Sequence, residues 1–154
     1  MASIRREIQI DARPETAWAA LRDVGALHHR LVPGFVTDTR LEEGARVVTF
    51  GNGLVARELI IDVDDGARRV AWSVVGSKLM THHNASAQVF ANGTTGCRFV
   101  WIADLLPNEV APSIAAMIDQ GMAVIKQTLE RTEREIGGLT TVRIRPASRD
   151  ARRR

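Results

Sequence analysis

The chain has 154 residues, 45% hydrophobic and 25% charged, enough for one domain with its own core and no need of a disulfide or structural metal. The absence of any apolar run of about 18 residues excludes a membrane-spanning helix, and the lone Cys97 excludes an internal disulfide and fits a reducing cytoplasm. The formal charge of +3 is unevenly spread: residues 139–154 hold six arginines against one aspartate, a net +5 that leaves the rest near −2, so a nucleic-acid-binding surface is not expected.

The first element is a strand over Ser3–Asp11. The segment IDARPETAWAALRD (Ile10–Asp23) then turns into a helix. Pro14 suits the first helical turn, Glu15 complements the positive helix end, and Ala17, Trp18 and Leu21 share one face. Val24–Leu31 reads as a second short helical segment, ended by Pro33-Gly34. Six strand-like runs follow, each closed by turn residues: Phe35–Leu41, Arg46–Phe50, Leu54–Val63, Arg68–Val75, His82–Phe90 and Cys97–Leu105. Short turns between successive strands imply an antiparallel meander, in which Cys97 is a small buried residue and not a nucleophile.

From Asn108 to Ile136 the apolar period lengthens from two residues to 3.6. Val110, Ile114, Met117, Gly121, Ile125, Leu129 and Thr132 form one stripe, flanked by Ile118 and Met122, and Glu130 can pair with Arg134 across one turn. This describes a helix of about 25 residues, roughly 38 Å long, lying across the sheet and ended by Gly137-Gly138. Residues 1–138 are thus the folded domain, and 139–154 read as a disordered basic tail.

The order strand, two short helices, six strands and a long helix resembles the helix-grip fold of the START and birch-pollen-allergen superfamily, over residues 3–136. That resemblance implies an α+β fold in which a seven-stranded curved antiparallel sheet wraps the C-terminal helix and leaves a cavity between them. Asn52-Gly53-Leu54-Val55-Ala56, Glu58, Arg68-Arg69-Val70 and Trp72-Ser73-Val74-Val75-Gly76 look like the abscisic acid receptor branch. Val55 stands where that branch's gate loop has proline, and Lys78-Leu79-Met80 stands where its latch motif is. Bacterial-type members described as polyketide cyclase/dehydratase-like resemble the chain at least as well.

The resemblance also implies a strand phase. With Glu58 inward, Leu54, Ala56 and Ile60 follow, then Trp72 and Val74, His82, Asn84, Ser86 and Gln88, and Arg98, Val100 and Ile102, facing Met117, Gly121 and Ile125 of the helix. Trp101 falls out of that phase, and His83 points opposite to His82. Glu58 is the sharpest candidate, because an inward carboxylate must bind a ligand, act as a general base or pair with Arg46 or Arg98. Adjacent strand histidines cannot chelate one ion, and neither His82-His83 nor His28-His29 has a carboxylate partner at ligand spacing, so no metal and no cofactor are expected. The resemblance places His29 near the cavity mouth.

The functional expectation is a cytoplasmic protein enclosing a small hydrophobic molecule, polyketide-, lipid- or isoprenoid-like and acidic, its polar end held by Glu58, His82, Asn84, Ser86 and Arg98. One alternative is a polyketide cyclase/dehydratase-type enzyme with Glu58 or His82 as general acid or base. Another is a ligand-dependent regulatory module that presents Gly51–Ala56 to a partner. A homodimer is implied by analogy with the receptor branch.

Overall fold

The computed structural model describes residues 1–143. The strands are β1 (Ala2–Ile10), β2 (Val36–Glu42), β3 (Ala45–Phe50), β4 (Val55–Asp64), β5 (Arg69–Val75), β6 (His82–Asn92) and β7 (Gly96–Leu106). They form one antiparallel sheet in the order β1-β7-β6-β5-β4-β3-β2. Six of the seven are joined by short turns. The exception, β1, crosses over to pair with β7, and the helical segments after it fill that crossover. The helix-grip α+β expectation therefore holds, and strand ends agree with the sequence reading to within a residue or two.

Helix α1 (Pro14–Arg22) begins at Pro14 without a side-chain cap. Its apolar side, Ala17, Trp18, Ala20 and Leu21, is buried, while its polar groups tie it to two other elements. The Trp18 indole N–H and Arg22 Nε both donate to Asp65 at 2.9 Å. Arg13 donates to Glu133 at 2.6 Å, and the Thr16 hydroxyl donates to the same carboxylate. The second helical segment is shorter than expected, a single π-helical turn over Leu27–Leu31 that buries Leu27 and Leu31.

A 3₁₀ turn at Asn108–Val110 leads into α2 (Ala111–Arg143), about 50 Å long at 1.5 Å per residue. It packs on β1, β7, α1 and the π-turn. The helix does not stop at Gly137-Gly138. Neither glycine takes a positive φ, and glycine weakens a helix by about 1 kcal/mol without forbidding it. The tail expected over 139–154 is accordingly helical through Arg143; beyond that it lies outside the described residues. The buried line along α2 is Ile118, Met122, Ile125 and Leu129, with Gly121 beside it, while Ile114 and Met117 are only partly covered. Glu130 pairs with Lys126, one turn back at 2.9 Å, and not with Arg134.

The core lies between the sheet and α2, around Ile10, Phe99, Leu105, Ile125 and Leu129. Register shifts at Val36/Asp38 in β2 and Ile60/Asp62 in β4 add bulges on the β2–β4 side, where a bulge bends its strand and increases twist. On that side the sheet stands clear of the N-terminal turns of α2, and a cavity forms.

Candidate ligand cavity

A cavity of about 430 Å³ opens between β3–β5 and the start of α2, in the size range of small-molecule sites. Phe35, Phe50, Trp72, Val74 and Trp101 form its apolar wall, and Ile114, Met117 and Ile118 close it from the helix. A second, inner space of about 70 Å³ lies deeper, bounded by Leu21, Leu31, Val48, Phe99 and Ile125. Phe35, Phe50, Glu58, Trp72 and Trp101 border both and so form the partition. Trp72 and Trp101 meet edge to face with centroids 5.9 Å apart.

Two structured turns frame the mouth. In the β3–β4 turn the Asn52 side chain accepts from the Leu54 N–H at 3.0 Å. Between β5 and β6 the Ser77 hydroxyl accepts from the N–H groups of Leu79 and Met80 at 3.0 and 3.2 Å. Gly53 (φ +87°) and Gly76 (φ +69°) take conformations that a side chain would strain. Leu54, Val55 and Leu79 are 44%, 64% and 54% exposed, giving the mouth an apolar rim.

The antiparallel register sets Arg46, Glu58 and Val74 side by side on β3, β4 and β5. Arg46 Nε donates to Glu58 Oε1 at 2.7 Å, with the two side chains only 4% and 8% exposed. Arg46 Nη1 also donates to the Val24 carbonyl at 3.3 Å, and its guanidinium lies 5.4 Å from the Trp72 ring centroid, within cation–π range. Arg46 borders only the inner space, whereas Glu58 reaches the main cavity as well. The bond from Arg46 goes to Glu58 Oε1, so Oε2 is the carboxylate's other acceptor. Of the pairings open from the sequence, Arg46 is the one formed.

His83 supplies the second polar group. Pairing of β5 with β6 runs only as far as Trp72↔Ala85. Past that point the Val74 N–H donates to His83 Nδ1 at 3.0 Å, and the Ser73 hydroxyl donates to the His83 carbonyl. The imidazole thus fills a place in the ladder that a strand carbonyl would have taken. Because Nδ1 accepts, the neutral ring carries its proton on Nε2. Burial, and next the nearby charge of His82, push the His83 pKa down to about 4 against the opposing pull of Asp104, so near neutral pH the ring is an uncharged donor.

Leu54, Ala56, Glu58, Trp72, Val74 and Met117 line the main cavity, and Ile125 lines the inner space. Gly121 lines neither: a Cβ there would stand 3.1 Å from Trp101 and 3.3 Å from Phe35, so this glycine serves close helix–sheet packing. The phase expected for β6 and β7 is reversed. His82 is exposed, and Asn84 and Ser86 share its outer face, while His83, Ala85, Ala87 and Val89 point inward and are buried. Arg98 lies on the outer face, donating to Glu7 at 2.5 Å and covering the Phe90 ring at 4.9 Å. Val100 is buried on that same face between Glu7 and Gln88, and the inward places belong to Phe99 and Trp101. His29 does not border the cavity.

The reason for the reversal is hydropathy. In β6 the alternate residues Ala85, Ala87 and Val89 are apolar and Asn84, Ser86 and Gln88 polar, so burial favours the apolar set. Placing the polar set inward would have left three hydrogen-bonding side chains to satisfy in an apolar wall. That alternation was the signal for His83 and, by the β6–β7 register, for Trp101. Phe35 and Phe50 come from the π-turn exit and the end of β3, and nothing in their local sequence marked them.

Among the described residues no group of three or more His, Cys, Asp and Glu side chains could hold a metal ion, and no helix is long and apolar enough to cross a membrane. A family model described as polyketide cyclase/dehydrase and lipid transport matches residues 1–137. No curated protein matches the sequence. Several solved structures share the fold. A protein of unknown function from Bacillus thuringiensis superposes with a TM-score of 0.75 at 15% identity, covering 83% of this chain and 98% of that one. Norcoclaurine synthase from Thalictrum flavum, a point mutant bound to a transition-state analogue, gives 0.69 at 20% identity, over 88% and 96%. A START superfamily protein from Mycobacterium smegmatis gives 0.65 at 9% identity, over 87% and 98%.

Proposed function

The chain belongs to the polyketide cyclase/dehydrase and lipid transport family, and from that premise we propose that it encloses a small hydrophobic molecule between the sheet and α2, with the molecule's polar end against Glu58 and His83. One observation carries this reading: a cavity of about 430 Å³ with aromatic and aliphatic walls, bordered by only a few polar side chains, among them Glu58 and His83. Apolar contact supplies affinity in such a site, and the polar pair supplies orientation. Titration with Nile red, a neutral apolar dye, tests it through quenching of Trp72 and Trp101. Saturable one-to-one binding, abolished by Ala56→Phe with the fold retained, is the expected result. A dye that fails to bind, or that binds Ala56→Phe equally well, overturns the reading.

A catalytic reading of the cyclase/dehydrase type is favoured by one further observation, that a neutral imidazole donor and a carboxylate share the same wall. The His83 Nε2–H would hold a substrate carbonyl while Glu58 takes a proton from the adjacent carbon, leaving an enolate. His82, on the outer face, has no part in it. Enzyme-dependent exchange of the α-protons of a bound ketone into D₂O, lost in His83→Phe while binding persists, is the outcome this reading requires.

A further inference from the structure

The charges around the cavity are arranged against an anionic ligand. Glu58 brings a carboxylate to the wall. Arg46, its counter-charge, is turned to the inner space and occupied by Glu58, the Val24 carbonyl and the Trp72 face. Arg57, the one other basic side chain bordering the main cavity apart from His83, donates to Glu42 at 3.1 Å. Lys78, between the mouth residues Ser77 and Leu79, is exposed and does not border the cavity. His83 is uncharged, because its Nδ1 takes the Val74 N–H in a buried setting. A ligand carboxylate would therefore face Glu58 in a low-dielectric space without a free cation, a like-charge contact that costs more there than in water. Beside the Ser77 hydroxyl at the mouth and the indole N–H groups of Trp72 and Trp101, the wall has a carboxylate acceptor in Glu58 and an imidazole donor in His83, and these two flank Val74 on neighbouring strands.

Resting on the ligand-binding reading above, we infer that the cavity selects an uncharged ligand whose polar end carries a hydroxyl beside a carbonyl, and rejects the fatty-acid-like carboxylates of the same length. The hydroxyl donates to Glu58 and the carbonyl accepts from His83. This replaces the acidic ligand expected from the sequence.

The test compares 1-hydroxydecan-2-one with decanoate, ionised at pH 7.5, as competitors of Nile red on the full chain. At least tenfold tighter binding of the hydroxyketone is expected. Equal or tighter binding of decanoate overturns the inference and leaves the ligand-binding reading standing, as does Nile red binding that neither competitor displaces. Failure of Nile red itself to bind overturns both. Glu58→Gln adds a second arm: with Arg46 left unpaired, decanoate should gain affinity and the preference should narrow or reverse. An unchanged ratio in a folded Glu58→Gln protein also counts against the inference. If that variant does not fold, the wild-type ratio alone decides.

Discussion

Gly121 of α2 sits against Trp101 of β7 so closely that a methyl group on it would stand 3.1 Å from the indole ring. The other neighbour, Phe35, would be at 3.3 Å, and both rings border the cavity. Gly121→Ala gains about 1 kcal/mol of helix propensity and must push both rings by a few tenths of an ångström. The open side of each ring is the cavity, so the rings can yield in that direction. Stability should change by less than about 1 kcal/mol in urea unfolding, while Nile red binds several-fold more weakly. Unaltered dye affinity would show that the cavity does not depend on this packing.

Arg46 and Glu58 form a pair whose members cannot be removed singly at low cost. Arg46→Met leaves a buried carboxylate without its counter-charge, and a loss of about 3–5 kcal/mol is expected. The double variant Arg46→Met/Glu58→Leu should recover most of it, because both desolvation costs vanish together. Denaturant midpoints of the two proteins decide. Equal instability of single and double variants would place the loss in packing instead of charge.

His83 makes stability depend on pH. Its pKa is about 4 in the folded chain and 6.5 when free, so between those values the unfolded chain binds more protons. Stability is at its full value above pH 6.5 and falls as pH drops toward 4, by at most about 1.4 kcal/mol per unit. His83→Gln should flatten that slope. An NMR titration of the His83 ring with a midpoint near 6.5 would contradict the buried, neutral imidazole.

Cys97 is fully buried, and burial above all, with Glu133 adding to it, pushes its thiol up to about 11. At pH 8 the thiolate that reacts with iodoacetamide is scarce and inaccessible. Alkylation should require unfolding and track the urea transition. Rapid labelling of native protein would show that the β1–β7 region opens.

Much of the fold was legible because period and punctuation are local. The change from two-residue to 3.6-residue spacing after Leu105, the Pro14 start and the Gly-rich turns lie in consecutive residues. The end of α2 was misjudged because two glycines are a weak, purely energetic signal. Part of the cavity was legible as well: Leu54, Ala56, Glu58, Trp72, Val74 and Met117 all border it. The errors on β6 and β7 came from expecting polar residues to face the cavity when the alternation of Ala85, Ala87 and Val89 favoured the opposite phase.

The sequence by itself determined the order of elements and the long helix across a meander of strands, since these follow from short-range patterns of hydropathy and turn chemistry, whereas the inward carboxylate on β4 was implied only by the family resemblance. Only the tertiary structure decided what that carboxylate is. Glu58 meets Arg46 because strands β3 and β4 fall into one register, and His83 enters the wall because the β5–β6 ladder ends at Trp72↔Ala85. Trp101 reaches the cavity because β7 follows the phase of β6. Partners such as these are set by contacts between distant segments, and a register shift of one residue would exchange every one of them.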